Sequence, residues 1–199
     1  MSGAIPDKGK AYLPGRSEAG SAKVEREAMA EVETKSPARR PRFEEILLLV
    51  GQMNYAWTNT ESLLIHLIAG LAGVDKETAI VIFLTLNTTR ARLDLVDRLA
   101  KMGRVDAPVR DEILGLTDAM KKVLKHKNQY NHCLYSFDSQ GQNAKTIMMR
   151  IAETKSAIKI GKTQDLDENE AKKIRRSIST IEKINRDTWR FILKHKFPV

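Results

Sequence analysis

The sequence predicts a mainly α-helical protein with a small β-hairpin ahead of its last helix. Apolar residues recur every three or four positions over long stretches, which is the spacing that gives a helix one apolar face. Before the last of these stretches the spacing shortens to that of β-strands. With 199 residues, 42% of them hydrophobic, the chain can build one core. We therefore expect a bundle of about four to five helices with one hairpin.

Residues 1–41 form a basic segment that we expect to be a disordered tail. The segment is rich in Gly, Ser, Ala, Pro, Lys and Glu and contains few residues able to enter a core. Burial would not offset the entropy lost on ordering such a segment. Pro41 suits the first turn of a helix, so the folded domain is expected to span residues 42–199.

Each element of the first half begins or ends at a recognisable signal. The first helix is expected from Phe43 to about Ala72, with a central apolar stripe. Gly73 ends it, because glycine adopts the left-handed conformation that closes many helices. Asp75 is the expected cap of a short second helix, and Asn87 that of a third.

The second half is predicted as a long helix, a hairpin and a closing helix. Pro108 marks the start of the long helix, which continues to about His132. A polar turn over Asp138–Asn143 joins the first two of the strand-forming runs that follow. The strand-forming runs are Leu134–Phe137, Ile147–Ile151 and Ala157–Ile160. The last helix, Asp167–His195, is expected to pack on the first.

Composition favours a cytoplasmic protein that needs no cofactor and no metal. The single cysteine allows no internal disulfide, and the four histidines match no structural zinc spacing. No signal-peptide core and no uninterrupted membrane span is visible. The sequence also lacks a phosphate-binding glycine loop, a dinucleotide fingerprint, a His-Glu-x-x-His motif and a nucleophile elbow. A net charge of +9 with a pI near 9.7 favours a polyanionic partner instead.

Basic and polar groups crowd together at the end of the long helix. Asn128 and His132 share a helix face, and Lys127 lies about 140° from His132 around the axis but has a long stem. An imidazole can take a proton from a ribose 2′-hydroxyl while an ammonium and an amide stabilise the charged phosphorane, which is metal-free RNA cleavage. The alternative is that Lys and His complement the helix dipole, with His132 capping carbonyls. Three lysines of this helix are assigned to nucleic-acid binding: Lys121, Lys122 and Lys125.

The pattern Lys127-Asn128-x-x-x-His132, in a helix that follows Trp57-x-x-x-Glu61 and precedes a hairpin and a closing helix, resembles the HEPN superfamily. That superfamily's signature is an arginine, a polar residue and then a histidine, in a helical domain that usually dimerises so that two motifs face each other. The resemblance implies that His132 is the catalytic histidine and Asn128 the polar residue. Lys127 replaces the arginine and lacks the planar fork that grips two phosphate oxygens.

Two functions are consistent with this sequence. The resemblance favours a dimeric HEPN-like RNA-processing protein, a metal-independent endoribonuclease of toxin, defence or stress type, with RNA and an antitoxin-like protein as partners. The alternative is a non-catalytic dimeric helical module that binds nucleic acid or a protein. Leu47, Leu48 and Leu49 favour association in either case, because one helix cannot bury all three against one neighbour.

Two further residues are expected to support the site. Glu61 falls in the apolar stripe of the first helix, and a buried carboxylate needs a partner. The candidate partners are Lys127, His132, Arg90 and Arg92. Glu61 would either orient the motif or lock two helices together, and Tyr130 would either stack on a base or pack. Trp57 and Trp189 are expected in the core, and Cys133 is expected to act as a small buried hydrophobe.

Overall fold

The computed structural model describes residues 43–138, 143–149, 151–153, 156 and 158–199, so the predicted tail of residues 1–41 lies outside the described residues. The described residues belong to one compact unit and confirm a mainly helical fold with strands before the last helix. The elements within these ranges are α1 (Phe43–Glu61), α2 (Leu64–Ala72), α3 (Lys76–Thr85), α4 (Thr89–Ala100), α5 (Ala107–Asn131), β1 (Cys133–Ser136), β2 (Lys145–Met148), β3 (Ile151–Glu153), β4 (Ile158–Ile160), β5 (Thr163–Asp165) and α6 (Glu168–Lys194). None of these helices combines the length and apolar character needed to cross a bilayer.

The predicted long first helix is α1 followed by α2, with a tighter turn between them. The N–H of Leu63 donates to the carbonyl of Thr60, three residues back, at 3.2 Å, and the N–H of His66 donates to the carbonyl of Leu63 at 3.1 Å. This is bonding of the 3₁₀ type. The Thr60 hydroxyl also donates to the carbonyl of Ala56 at 2.8 Å, which favours a bend. Leu63 keeps right-handed helical dihedral angles, so α2 continues α1 without a loop.

Most predicted helix boundaries are confirmed. Gly73 ends α2 in the left-handed conformation with φ of 69°. The carboxylate of Asp75 caps α3 by accepting a backbone N–H bond from its first turn. Pro108 lies in the first turn of α5. The predicted cap at Asn87 is wrong by one residue, because Thr88 has the extended backbone of an N-cap and its hydroxyl accepts the bond.

The strands form two small antiparallel sheets. Strand β2 lies between β1 and β5, whereas β3 pairs with β4. Leu134 of β1 is opposite Ile147 of β2, which in turn is opposite Thr163 of β5. The predicted hairpin is therefore part of a three-stranded sheet, and the predicted run Ile147–Ile151 divides between two strands. The predicted turn over Asp138–Asn143 falls largely on residues outside the described ranges.

Helix α6 supplies one long side of the core, and both α1 and α5 pack against it, as expected for the first and last helices. From α1, Ile46, Met53 and Trp57 are each at most 1% exposed. Burial of a large apolar side chain contributes about 1.5–3 kcal/mol. Trp189 lies at the edge of the α6 stripe and is 37% exposed, with its ring centroid 5.3 Å from that of His66. Trp57 is therefore a core residue as predicted, whereas Trp189 is only partly covered.

Candidate functional site

The predicted motif lies at the carboxyl end of α5, next to the sheet. His132 caps this helix with its backbone, because its N–H donates to the carbonyl of Asn128 at 3.1 Å. Its carbonyl accepts a bond from the N–H of Met149 at 3.1 Å, which ties the helix end to the end of β2. The backbone of His132 is thus held from two sides while its side chain remains exposed.

The side chains of the three motif residues have no bonding partner in the part of the chain that the structure describes. Within the described part of the chain, the His132 ring, the Lys127 ammonium and the Asn128 amide make no hydrogen bond, ion pair or ring contact. Lys127 and Asn128 are half-buried and therefore restricted in the directions they can take. The capping of helix carbonyls that the alternative assigned to the His132 ring is not seen, since the ring makes no such bond. The three polar groups are available to a ligand.

The other residues of the last turn hold α5 in place. Gln129 donates from Nε2 to Oε1 of Gln164 in β5 at 2.8 Å. Asn131 donates from Nδ2 to Oδ1 of Asn54 in α1, also at 2.8 Å. These bonds fix the rotation of the helix end relative to the sheet and to α1. The motif residues therefore project from a turn that is anchored by its other side chains.

Tyr130 joins α5 to α6 in the interior. Its ring is 3% exposed, and its hydroxyl donates to the carboxylate of Glu170. The same carboxylate accepts a bond from Lys173 Nζ at 2.8 Å. Burial, and then the bond to Glu170, raise the pKa of the Tyr130 phenol far above its usual value. This position matches the packing alternative, because so little of the ring is accessible to a base.

Glu61 lies in a bonded cluster between α1 and α4, apart from the motif. Its carboxylate accepts bonds from Trp57 Nε1 at 2.8 Å, Thr89 Oγ1 at 2.7 Å and Arg92 Nη1 at 2.8 Å. Arg92 is thus the partner among the four candidates. The guanidinium of Arg92 also lies 4.0 Å from the ring centroid of Phe83. The geometry fits the helix-locking role of Glu61, and no bond joins it to a motif residue in the described ranges.

The three lysines assigned to nucleic-acid binding differ in their surroundings. Lys121 hydrogen-bonds to Asp97 and lies 3.4 Å from a second aspartate of α4, and the bond to Asp97 raises the pKa of Lys121. Lys122 pairs with Asp118 at 2.9 Å on the exposed face of α5. Lys125 is exposed and pairs with no described carboxylate. Lys121 is therefore committed to the fold, while Lys122 and Lys125 face solvent.

Cys133 follows the motif directly and is half-buried. Its thiol donates to the carbonyl of Tyr130 at 3.2 Å, and burial raises its pKa. A raised pKa leaves less of the reactive thiolate near neutral pH, so we assign Cys133 no nucleophilic role. Among the described residues, no group of three or more His, Cys, Asp or Glu side chains is placed to hold a metal ion, and we assign no metal site.

Sequence reasoning missed the basic residues that α6 places beside α5. Four of the five residues from 172 to 176 are Lys or Arg, and that run was a visible signal. The two helices are antiparallel, because Tyr130 at the end of α5 bonds to Glu170 near the start of α6, and Glu112 near the start of α5 bonds to Lys194 at the end of α6. The basic first turns of α6 therefore lie next to the last turns of α5.

Comparison of this chain with protein-family models, with curated proteins and with solved structures finds no match in any of the three. The resemblance to the HEPN superfamily therefore depends on the motif Lys127, Asn128 and His132 and on the order of the elements around it.

Proposed function

We propose that this chain is a dimeric, cytoplasmic, HEPN-like RNA-processing protein that cleaves RNA without a metal ion. The supporting observation is the contrast at the end of α5. Gln129, Tyr130 and Asn131 bond to other elements of the fold, whereas the side chains of Lys127, Asn128 and His132 make no bond to any described residue. Buried polar groups are normally paired, and Lys127 and Asn128 are half-buried without a partner among the described residues, which supports a binding site at the motif.

The proposed chemistry is attack of a ribose 2′-oxygen on the adjacent phosphorus. The His132 imidazole removes the proton of the 2′-hydroxyl as the new P–O2′ bond forms. The P–O5′ bond then breaks, and the departing 5′ oxygen takes a proton from water. The Lys127 ammonium and the Asn128 amide stabilise the extra negative charge on the phosphorane. The products are a 2′,3′-cyclic phosphate and a 5′-hydroxyl end.

A dimer is supported by an open apolar groove between α1 and α6. The groove has a volume of about 1040 Å³ and is lined from α1 by Leu47, Leu48 and Tyr55. These side chains are 46%, 62% and 74% exposed. Monomeric proteins rarely expose a large contiguous apolar surface. Of the three consecutive leucines of the first helix, only Leu49 is buried. Leu47 and Leu48 therefore form part of an exposed apolar surface.

We assign this groove to a second copy of the chain because its charges are self-complementary. Glu182 and Arg186 lie one turn apart on its α6 wall, and neither is within salt-bridge distance of an opposite charge in the described residues. A two-fold axis between them brings Glu182 of each copy opposite Arg186 of the other, which gives two ion pairs from one contact. Asn54 of α1, the helix that forms the other wall of the groove, bonds to Asn131, so α1 connects the groove to the motif.

The second candidate function is a non-catalytic RNA-binding dimer. The observation that favours it is Lys127 in the place of the superfamily's arginine. An ammonium contacts one phosphate oxygen at a time, whereas a guanidinium holds two in a fixed plane. In this function the motif binds phosphate but does not stabilise the transition state well enough for turnover.

One assay separates the two functions. The purified full-length protein and a His132→Ala variant are incubated in EDTA with a mixture of structured and single-stranded RNAs, and the products are analysed for 2′,3′-cyclic phosphate ends. We expect such ends from the native protein and a loss of at least about hundredfold in the variant. Equal cleavage by a folded His132→Ala protein would remove the proposed mechanism. Binding without cleavage by the native protein would establish the non-catalytic function.

Three lysine variants complete the design. Lys127→Arg restores the fork of the superfamily signature, and we expect it to raise the cleavage rate. Lys101→Ala is the matched control for Lys127→Ala, because Lys101 is an exposed lysine at the end of α4, just before α5 begins. Lys127 lies 20 positions after Ala107, the first residue of α5, which places it about 30 Å along the helix from the end near Lys101. We therefore expect cleavage to fall in Lys127→Ala and to be retained in Lys101→Ala.

A further inference from the structure

A second groove lies between α5 and α6, on the side of α5 where Tyr130 meets Glu170. It has a volume of about 410 Å³. Four basic side chains stand on its walls, two from each helix: Lys122, His126, Lys173 and Arg176. The buried residues Val123 and Ser177 form its floor. We call this feature the basic groove.

The charges in the basic groove are only partly balanced. Lys122 pairs with Asp118 at 2.9 Å, but the two side chains are 76% and 61% exposed. An exposed pair of this kind contributes about 0–1 kcal/mol, so a stronger anion can displace it. Lys173 pairs with Glu170, whose carboxylate is buried and also bonded to Tyr130. Among the described residues, no carboxylate lines the groove.

His126 and Arg176 are the two basic residues of the groove that have no partner among the described residues. Neither side chain makes a hydrogen bond or ion pair with a residue in the part of the chain that the structure describes. Both side chains are exposed, so they stay hydrated and impose no desolvation cost on the fold. An arginine fork next to an imidazole and two ammonium groups is suited to phosphate oxygens. The hydroxyl of Ser177 on the floor adds a neutral donor.

The basic groove and the motif lie on neighbouring turns of α5 but on different faces. His126 and His132 are separated by six positions, which is about 9 Å along the axis and about 120° around it. A strand with one phosphate at the motif reaches the basic groove with its neighbouring nucleotides by passing around the last turns of α5. The floor carries no aromatic ring, so contacts in the groove are to phosphates rather than to bases.

We propose that the basic groove binds the phosphate backbone of the RNA strand that occupies the motif, with Arg176 and His126 as the principal contacts and Lys122 and Lys173 joining them. This inference rests on the proposed function, because RNA as the ligand comes from the motif. The groove itself specifies a chain of phosphates and no base sequence. Of the basic run of α6, Lys173 and Arg176 line the groove, whereas Arg175 pairs with Glu168 at 2.9 Å.

The test measures binding of a fluorescent single-stranded RNA whose riboses are 2′-O-methylated, so that no cleavage can occur. The full-length protein is compared with Arg176→Gln, with the double variant Arg176→Gln/His126→Gln, and with Arg190→Gln. Arg190 is the matched control, since it is an exposed arginine on the same helix, about 21 Å further along. Because all three residues are exposed, the variants are expected to fold, and urea midpoints check this.

We expect the double variant to bind at least about tenfold more weakly, and Arg190→Gln to bind nearly as well as the native protein. The slope of log affinity against log salt should become shallower by about 0.7 for each phosphate contact removed from a single strand. Equal weakening by Arg176→Gln and Arg190→Gln would overturn the inference, because it would show diffuse attraction only. Displacement of the RNA by inorganic phosphate at a concentration equal to that of the RNA would also overturn the inference, since the groove would then be a site for free phosphate.

A cleavage assay with unmodified RNA distinguishes failure of this inference from failure of the proposed function. If the groove binds substrate and takes no part in the chemistry, the double variant raises KM and leaves kcat unchanged. A KM equal to that of the native protein in the double variant, with cleavage intact, would overturn the inference about the groove but leave the proposed catalytic function of the motif unaffected. Groove-dependent binding in a protein that cleaves nothing would support the groove and reject the catalytic proposal.

Discussion

Arg92 places its Nη1 atom 2.8 Å from Oε1 of Glu61, and both side chains are largely buried, with 18% and 12% exposed. The carboxylate is further bonded to Trp57 and Thr89. This buried carboxylate, with its three donors, holds α1 against α4. Among the described residues, neither Glu61 nor any of its three donors bonds to a motif residue. Stability and the proposed chemistry are therefore separable in this fold.

The first prediction concerns this cluster. Glu61→Gln keeps the shape of the side chain but weakens three charge-assisted bonds, and we expect the free energy of unfolding to fall by about 1–3 kcal/mol. Urea denaturation measures the change. Glu44→Gln is the control, because Glu44 is an exposed carboxylate in the same helix and should cost at most about 0.5 kcal/mol. If Glu61 orients the motif instead, RNA cleavage would drop in Glu61→Gln at temperatures where the protein is still folded.

The sequence predicts the helices well because their boundaries depend on local chemistry. Gly73, Asp75 and Pro108 act within one turn of the backbone that they end or begin. Strand β5, Thr163–Asp165, has no alternation of apolar residues and exists because β2 lies beside it. Because the pairing depends on a distant segment, it leaves no periodic signal in β5 itself.

The candidate site shows the same division. His132 is found from a spacing within one helix, so the sequence is sufficient to locate it. The partner of Tyr130 is Glu170, 40 positions away, and the partner of Lys121 is Asp97, 24 positions away. Which polar residues are paired and which remain available depends on tertiary contacts. The sequence therefore identifies the motif, but only the fold separates Lys121 from the lysines that face solvent.

The second prediction is that Tyr130→Phe destabilises the protein. The substitution removes the only hydroxyl donor that we find on the buried carboxylate of Glu170 within the described residues. We expect a loss of about 1.5–3 kcal/mol, the range for a bond to a charged group, measured by urea unfolding. Tyr55→Phe serves as the control, because Tyr55 is 74% exposed. An unchanged midpoint in Tyr130→Phe would mean that the bond contributes nothing to stability.

The third prediction is the pH dependence of this effect. Burial and the bond to Glu170 raise the pKa of the Tyr130 phenol above its ordinary value of 10.0. Since the folded state favours the protonated phenol, its stabilising contribution is complete below about pH 10 and is lost as pH rises further. The native protein should therefore lose stability above about pH 10 more steeply than Tyr130→Phe, in urea unfolding series. Parallel curves would show that Tyr130 titrates alike in the folded and unfolded states.

The fourth prediction concerns the groove between α1 and α6. Leu48→Glu puts a charge at the centre of an apolar contact, and we expect it to convert the dimer to a monomer. Sedimentation equilibrium measures the change in mass. Val81→Glu is the control, since Val81 on α3 is also 62% exposed but lies outside the groove. A native protein that is monomeric at high concentration, or a Leu48→Glu protein that still dimerises, would contradict the assignment of this groove to a second copy.

The charges of that groove give a sharper test of the arrangement. Glu182→Arg and Arg186→Glu should each weaken the dimer, because each places like charges opposite one another across the two-fold axis. The double charge reversal restores opposite charges and should restore dimerisation. Sedimentation of the two single variants and the double variant measures this. Failure of the double variant to recover would show that the two residues do not face each other.

The last prediction compares two glycines that lie inside helices. A Cβ added at Gly70 would lie 2.3 Å from Cγ of Phe197, whereas a Cβ at Gly115 meets no atom within 4 Å. Gly115→Ala should therefore stabilise the protein by about 1 kcal/mol through helix propensity. Gly70→Ala must move the Phe197 ring, which packs against Phe191 with centroids 5.5 Å apart, and should cost about 1–3 kcal/mol.

Phe197→Ala decides whether this clash is the cause. In the native background Gly70→Ala is expected to be destabilising, but in a Phe197→Ala background the added methyl group finds open space and the helix-propensity gain remains. The effect of Gly70→Ala should then change sign, while that of Gly115→Ala stays the same in both backgrounds. Thermal unfolding of the native protein, of Phe197→Ala and of each glycine substitution in both backgrounds, six proteins in all, measures both effects. A cost at Gly70 that persists without the Phe197 ring would place its origin in α2 itself.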